Sequence, residues 1–121
     1  MTNLTFVHNS EELLSLDVDW AKVVSDGTDK EENLLFKSKE VLWEAATDGH
    51  IVLALNEYGK VAGFIALWSI NKDKKGREWL EVGTVYVPLR YRGKGIGTAI
   101  VNFALELWND SKGLIICTSK N

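Results

Sequence analysis

The chain has one cysteine, Cys117, and one proline, Pro88, in 121 residues. A single cysteine excludes a disulfide framework and fits a reducing compartment, so a cytoplasmic location is expected. A single proline leaves the helices and strands almost uninterrupted. No apolar run approaches the ~20 residues of a membrane span, and the N-terminus lacks the pattern of a secretory signal. The basic residues form no long stripe and the pI is about 5.4, which argues against a nucleic-acid partner. Neither an internal repeat nor a low-complexity segment is visible.

Hydrophobic residues make up 45% and charged residues 26%, the balance of an ordinary globular domain. The length suits one domain, burying roughly two-thirds of its unfolded surface. Charge is unevenly spread. Residues 11–32 carry eight acids and two bases, whereas the rest carries nine acids and twelve bases. The acidic segment reads either as a solvated face or as a rim that draws in a cationic substrate.

Hydrophobic spacing gives the order β-α-α-β-β-β-α-β. Leu4–His8 reads as a first strand. Ser10 offers a helix cap ahead of Glu11 and Glu12, with the helix ending near Trp20–Val24. Residues 25–32, with Gly27, read as a loop. From Asn33, the residues Leu34, Leu35, Val41, Leu42, Ala45 and Ala46 follow helical spacing to a stop at Gly49. Ile51–Asn56 and Val61–Ile70 form a hairpin about Tyr58-Gly59-Lys60. A polar turn over 71–76 leads to a third long strand, Trp79–Val87, ended by Pro88. Ile96, Ala99, Ile100, Phe103, Ala104, Leu107 and Trp108 mark an amphipathic helix closed by Gly113. Leu114–Cys117 follows as a buried-type strand, and its helical crossover implies a parallel pair with Trp79–Val87. The expected fold is α+β: a mixed, mainly antiparallel sheet flanked by helices in three layers.

The chemistry concentrates in Val85-Tyr-Val-Pro-Leu-Arg-Tyr-Arg-Gly-Lys-Gly-Ile-Gly-Thr98. Glycines 93, 95 and 97 let backbone approach an anion closely. A helix starts directly after them, and its first N–H groups and dipole point into the loop. Arg90, Arg92 and Lys94 add positive charge. Together these suit a pyrophosphate. The P-loop pattern is absent, and the dinucleotide fingerprint fails because Ile100 stands where its third glycine belongs.

At these residues the chain resembles the GNAT superfamily of N-acetyltransferases. Arg92-Gly-Lys-Gly95-Ile-Gly97 matches the family's [RQ]-x-x-G-x-[GA] signature, and Val85-Tyr-Val-Pro88 is similar to its strand-to-loop approach. The resemblance implies acetyl-CoA as cosubstrate and a small-molecule or peptide amine as acceptor. It implies that Val85, Tyr86 and Val87 pair through their backbone with the pantetheine arm. Arg92, Gly93, Lys94, Gly95, Ile96, Gly97 and Thr98 would cradle the pyrophosphate, in an opening where the fourth and fifth strands splay apart. An extended, amide-bearing arm does need an unpaired strand edge.

Direct acyl transfer needs a base for the amine, a donor for the oxyanion and a leaving thiolate. A backbone N–H near Val87 is the candidate donor. Glu81, eleven residues before Arg92, is the candidate base. Its place resembles that of the glutamate in histone-type members, and strand alternation puts it on one face with Trp79, Gly83, Val85 and Val87. Its other reading is a solvent-facing strand residue. His8 and His50 read as ordinary strand-edge residues and Cys117 as a small core residue rather than a nucleophile, and no metal-ligating set is expected. The five tryptophans read as packing residues, with Trp68 or Trp79 as possible linings of an acceptor pocket.

The family continues beyond its fifth strand with a helix bearing a tyrosine that protonates the leaving thiolate and with two further strands, so the resemblance implies a shortened member. Asn121 is similar to a family asparagine that touches the cofactor. An apolar edge at 114–118 invites pairing, and a homodimer through it is expected. The competing reading is a catalytically weak or inactive module that binds CoA or a partner protein.

Overall fold

The structure, a computed structural model, describes residues 3–31, 34–72, 74, 78–111 and 114–117. Strands β1 (Thr5–Val7), β2 (Ile51–Leu55), β3 (Val61–Lys72), β4 (Glu78–Tyr86) and β5 (Leu114–Cys117) form one sheet in sequence order. The first three pairings are antiparallel, and β4 pairs with β5 in parallel. Helices α1 (Ser10–Ser15), α2 (Trp20–Lys30) and α3 (Lys39–Thr47) lie between β1 and β2, and α4 (Ile96–Ser111) between β4 and β5. The mixed sheet and its parallel end are as the spacing predicts.

Two clusters make the layers. Phe64 and Ala66 of β3 turn to α1–α3, where Trp20 is the centre. Its indole donates to Leu13 O at 2.9 Å and meets the Trp43 ring edge-on at 5.0 Å. Alternate residues of β3, Ile65 and Leu67, turn to the opposite cluster. There α4 buries Ile100, Ala104 and Trp108, one residue per turn, against the sheet.

The helices between β1 and β2 differ from expectation. Asn9, not Ser10, caps α1, accepting from the N–H groups of Glu11 and Glu12 at 2.9 and 3.4 Å. The helix stops at Ser15, and a new one starts after Asp19, whose carboxylate accepts from the Lys22 N–H at 3.2 Å. The segment through Gly27 is then helix, not loop, up to Lys30. Burial of Trp20, Ala21, Val24, Ser25 and Thr28 along one face outweighs the helix cost of glycine. Conversely, α3 starts only at Lys39, capped by Ser38. The Thr28 hydroxyl accepts from the Lys37 N–H, holding that stretch out of helix and leaving Leu35 and Phe36 exposed.

In β4, Val82 faces Leu67 and Thr84 faces Ala66, so Gly83 is an extra residue, a bulge. The bulge reverses the facing of side chains along the strand. Leu80 and Val82 pack toward α4, whereas Tyr86 joins the cluster under α1–α3. The indole Nε1 of Trp68 donates to Thr84 Oγ1 at 3.0 Å, and its ring occupies the space that a Cβ at Gly83 would need. The expected turn over 71–76 is only partly within the described residues. Gly113, Thr118 and Asn121 lie outside them.

Candidate functional site

Beyond the last β4–β5 pair, Val82 with Cys117, β4 runs on to Tyr86 without a β5 partner among the described residues. Pro88 starts a single tight turn, Leu89–Tyr91, closed by the Tyr91 N–H on Pro88 O at 2.9 Å. The loop is pinned to the β2–β3 turn by Asn56 Nδ2 donating to the Tyr91 hydroxyl at 3.1 Å. Lys94 and Arg90 flank the Tyr91 ring at 5.9 and 5.5 Å from its centre.

Gly93 and Gly95 take φ of +79° and +77°, where a side chain is strained, although the space a Cβ would fill is open. These two turns swing the backbone into α4. The first helical bond runs from the Ala99 N–H to Gly95 O at 3.0 Å, so the N–H groups of Ile96, Gly97 and Thr98 lack an intrahelical acceptor. They border a cleft of about 440 Å³.

Nine of the ten residues expected to hold the cofactor line this one cleft: Val85, Tyr86, Val87, Arg92, Gly93, Gly95, Ile96, Gly97 and Thr98. Lys94 turns the other way, into a groove with Asn56 and Tyr58. A strand edge without a β5 partner among the described residues, leading to a glycine cradle at a helix N-terminus, fits an extended arm ending in a diphosphate.

Three further residues of the cleft escape the sequence reading: Leu34, Tyr91 and, as a cleft residue, Glu31. Glu31 caps the end of α2, and its carboxylate takes the Arg92 guanidinium, whose Nε also donates to Val87 O at 2.8 Å. An unbroken α2 is what carries Glu31 there, and the loop reading of Gly27 hid it. Tyr86 packs its ring end on Gly27, where no Cβ has room. Burial pushes its hydroxyl above the ordinary tyrosine range; Arg92 and Arg90 pull it back, and Glu31 adds to the rise.

Glu81 stands apart from the cleft. It pairs with Trp68 on one side and Ile116 on the other, about 16 Å along the strand from Tyr86. The bulge corrects its expected face: Glu81 shares a side with Thr84 and Tyr86 rather than with Gly83 and Val85. Trp68, its cross-strand neighbour, lies under the Lys37 ammonium at 4.4 Å and borders a small pocket of about 200 Å³ with Glu44 and His50.

The sequence profile of the acetyltransferase (GNAT) family matches residues 14–120. The chain belongs to this family. An uncharacterized N-acetyltransferase of Methanocaldococcus jannaschii is 42% identical over 62 residues, 49% of this chain and 26% of that protein. The GCN5-related N-acetyltransferase of Kribbella flavida superposes with a TM-score of 0.64 at 20% identity, over 93% of this chain and 28% of its own. The chain thus spans about a quarter of these two relatives' length. The Mycobacterium tuberculosis protein Rv2747, solved in complex with CoA, matches with a TM-score of 0.63 at 26% identity, over 88% of this chain and 58% of its own. Arabidopsis thaliana Naa50, solved with a bisubstrate analogue of CoA and a peptide, gives 0.59 at 20% identity, over 96% and 69%. Among the described residues of this GNAT chain, no helix is long and apolar enough to cross a membrane.

Proposed function

We propose that this GNAT chain moves an acetyl group from acetyl-CoA to an amine by direct attack. The observation that carries the reading is the cleft formed by the end of β4, which has no β5 partner among the described residues, the glycines of positive φ and the open N-terminus of α4. The CoA complex of Rv2747 and the bisubstrate complex of Naa50 support the same cosubstrate.

In this reading the β4 backbone at Val85–Val87 carries the arm, and N–H groups of residues 93–98 neutralise the diphosphate. Acetyl-CoA supplies an activated carbonyl; the amine nitrogen bonds to its carbon, and the C–S bond breaks to release the thiolate as the tetrahedral oxyanion collapses to the amide. A backbone N–H near Val87 donates to the oxyanion. Glu81, on the face it shares with Tyr86 but about 16 Å along the strand from it, takes the amine proton through a chain of water rather than by direct contact. The acceptor is a cationic amine of small molecule or peptide, drawn by the acidic segment 11–32. A homodimer through the edge strand β5 belongs to the same proposal.

The test is acetyl-CoA turnover, followed with a thiol reagent over a panel of polyamines, aminoglycosides and peptide N-termini, together with CoA-induced thermal shift. Turnover that falls about a hundredfold in Glu81→Gln with CoA binding retained supports it. The separation of Glu81 from the cleft gives the binding-module alternative its footing, and binding without turnover on any amine would favour that reading.

A further inference from the structure

Glu31 and Arg92 meet across the mouth of the cleft, sixty-one residues apart in sequence. Arg92 opens the glycine cradle, and its second donor, Nε, is anchored on Val87 O. Glu31 comes from the opposite wall, where α2 ends, and belongs to the acidic segment. The Arg92 and Glu31 side chains are 40% and 31% exposed, so water screens the pair and it holds only weakly. A diphosphate in the cradle offers the guanidinium several anionic oxygens and a bidentate geometry, a stronger partner than one partly exposed carboxylate.

Once Arg92 turns to such a ligand, Glu31 is left as a carboxylate facing the cleft beside the Tyr86 ring and Leu34. A carboxylate next to apolar surface recruits a cation. We infer that Glu31 is the residue that selects a cationic acceptor, and that it becomes available for this when the diphosphate takes Arg92 from it. This rests on the acyl-transfer reading above. The acceptor it favours carries an ammonium group besides the reacting amine, as a diamine does. Diphosphate and diamine then assist each other's binding, each strengthening the other by the same factor.

Calorimetry with CoA, which carries no acetyl group to transfer, and 1,4-diaminobutane tests this without catalysis. In the unaltered chain, saturating diamine tightens CoA about two- to fivefold, the factor that a partly exposed ion pair supplies. In Glu31→Gln, CoA alone binds about two- to fivefold tighter, because its competitor for Arg92 is gone, and diamine adds nothing further. In an Arg92→Gln background the Glu31 substitution leaves CoA affinity unchanged, and Arg92→Lys provides a second background with charge kept and the fork lost. An equal effect of Glu31→Gln in the presence and absence of Arg92 would show simple charge repulsion and overturn the inference. So would a diamine effect that survives in Glu31→Gln. Failure of the unaltered chain to bind CoA would instead overturn the cofactor reading beneath it.

Discussion

The ring of Tyr86 on β4 rests against the backbone of Gly27 in the middle of α2, with no room for a Cβ between them. This contact joins the wall that bears Glu31 to the strand that borders the cleft. A glycine in a helix interior is ordinarily improved by alanine, by roughly 0.5–1 kcal/mol. Here Gly27→Ala is expected to destabilise by about 1–3 kcal/mol, the cost of overpacking, and to push the Tyr86 ring into the cleft. Urea denaturation and CoA titration measure the two effects. Tyr86→Val in the same chain should recover much of the stability.

The bulge makes the second test. Gly83→Ala places a methyl group where the Trp68 indole lies and breaks its bond to Thr84. A loss of about 1–3 kcal/mol is expected, with a changed near-ultraviolet dichroism signal from Trp68. If the strand ran without a bulge, as simple alternation implies, the substitution would be nearly silent.

At Gly95 the space is open and only the backbone conformation is demanding. Gly95→Ala is therefore expected to cost only about 1–2 kcal/mol in stability. CoA affinity should fall more than this strain suggests, because the cradle's N–H groups turn away. Equilibrium unfolding and calorimetry on the same variant separate the two.

Charges on α2 set an acid limit. The Lys39 ammonium and the Lys22 N–H hold Asp19 below its ordinary 3.8, and a hydrogen bond from Lys22 does the same for Asp26. A carboxyl lowered in the folded state stabilises fully above its unfolded value. That stabilisation is lost as pH falls from about 3.8 through the lower folded value. Both groups are exposed, so the effect is small and screened by salt. A thermal midpoint that drops between pH 5 and 2, less so in Asp19→Asn and at high salt, would bear this out.

The sheet was legible because its signals are local and agree. β2 and β3 are apolar around a glycine turn, and α4 repeats its apolar residues every turn. The cradle was legible for the same reason: strand, proline, glycines and helix are contiguous, and nine of its ten expected residues meet in one cleft. What escaped was decided at a distance. Gly27 reads as a loop residue, yet the Tyr86 ring claims its missing side chain, 59 positions away. Gly83 reads as one more strand position, yet Trp68 makes it a bulge and reverses the faces around Glu81. Glu31 reads as one acid among eight, and only an unbroken α2 brings it to Arg92.

The central claim is that amides at the start of α4 neutralise a diphosphate whose arm lies along the end of β4. The most direct measurement is a titration of the isotope-labelled chain with CoA, followed by amide NMR signals. Saturable shifts concentrated at residues 85–87 and 93–98 are predicted, with α3 and β2 unmoved. Signals at 93–98 that stay in place at millimolar CoA would contradict the account.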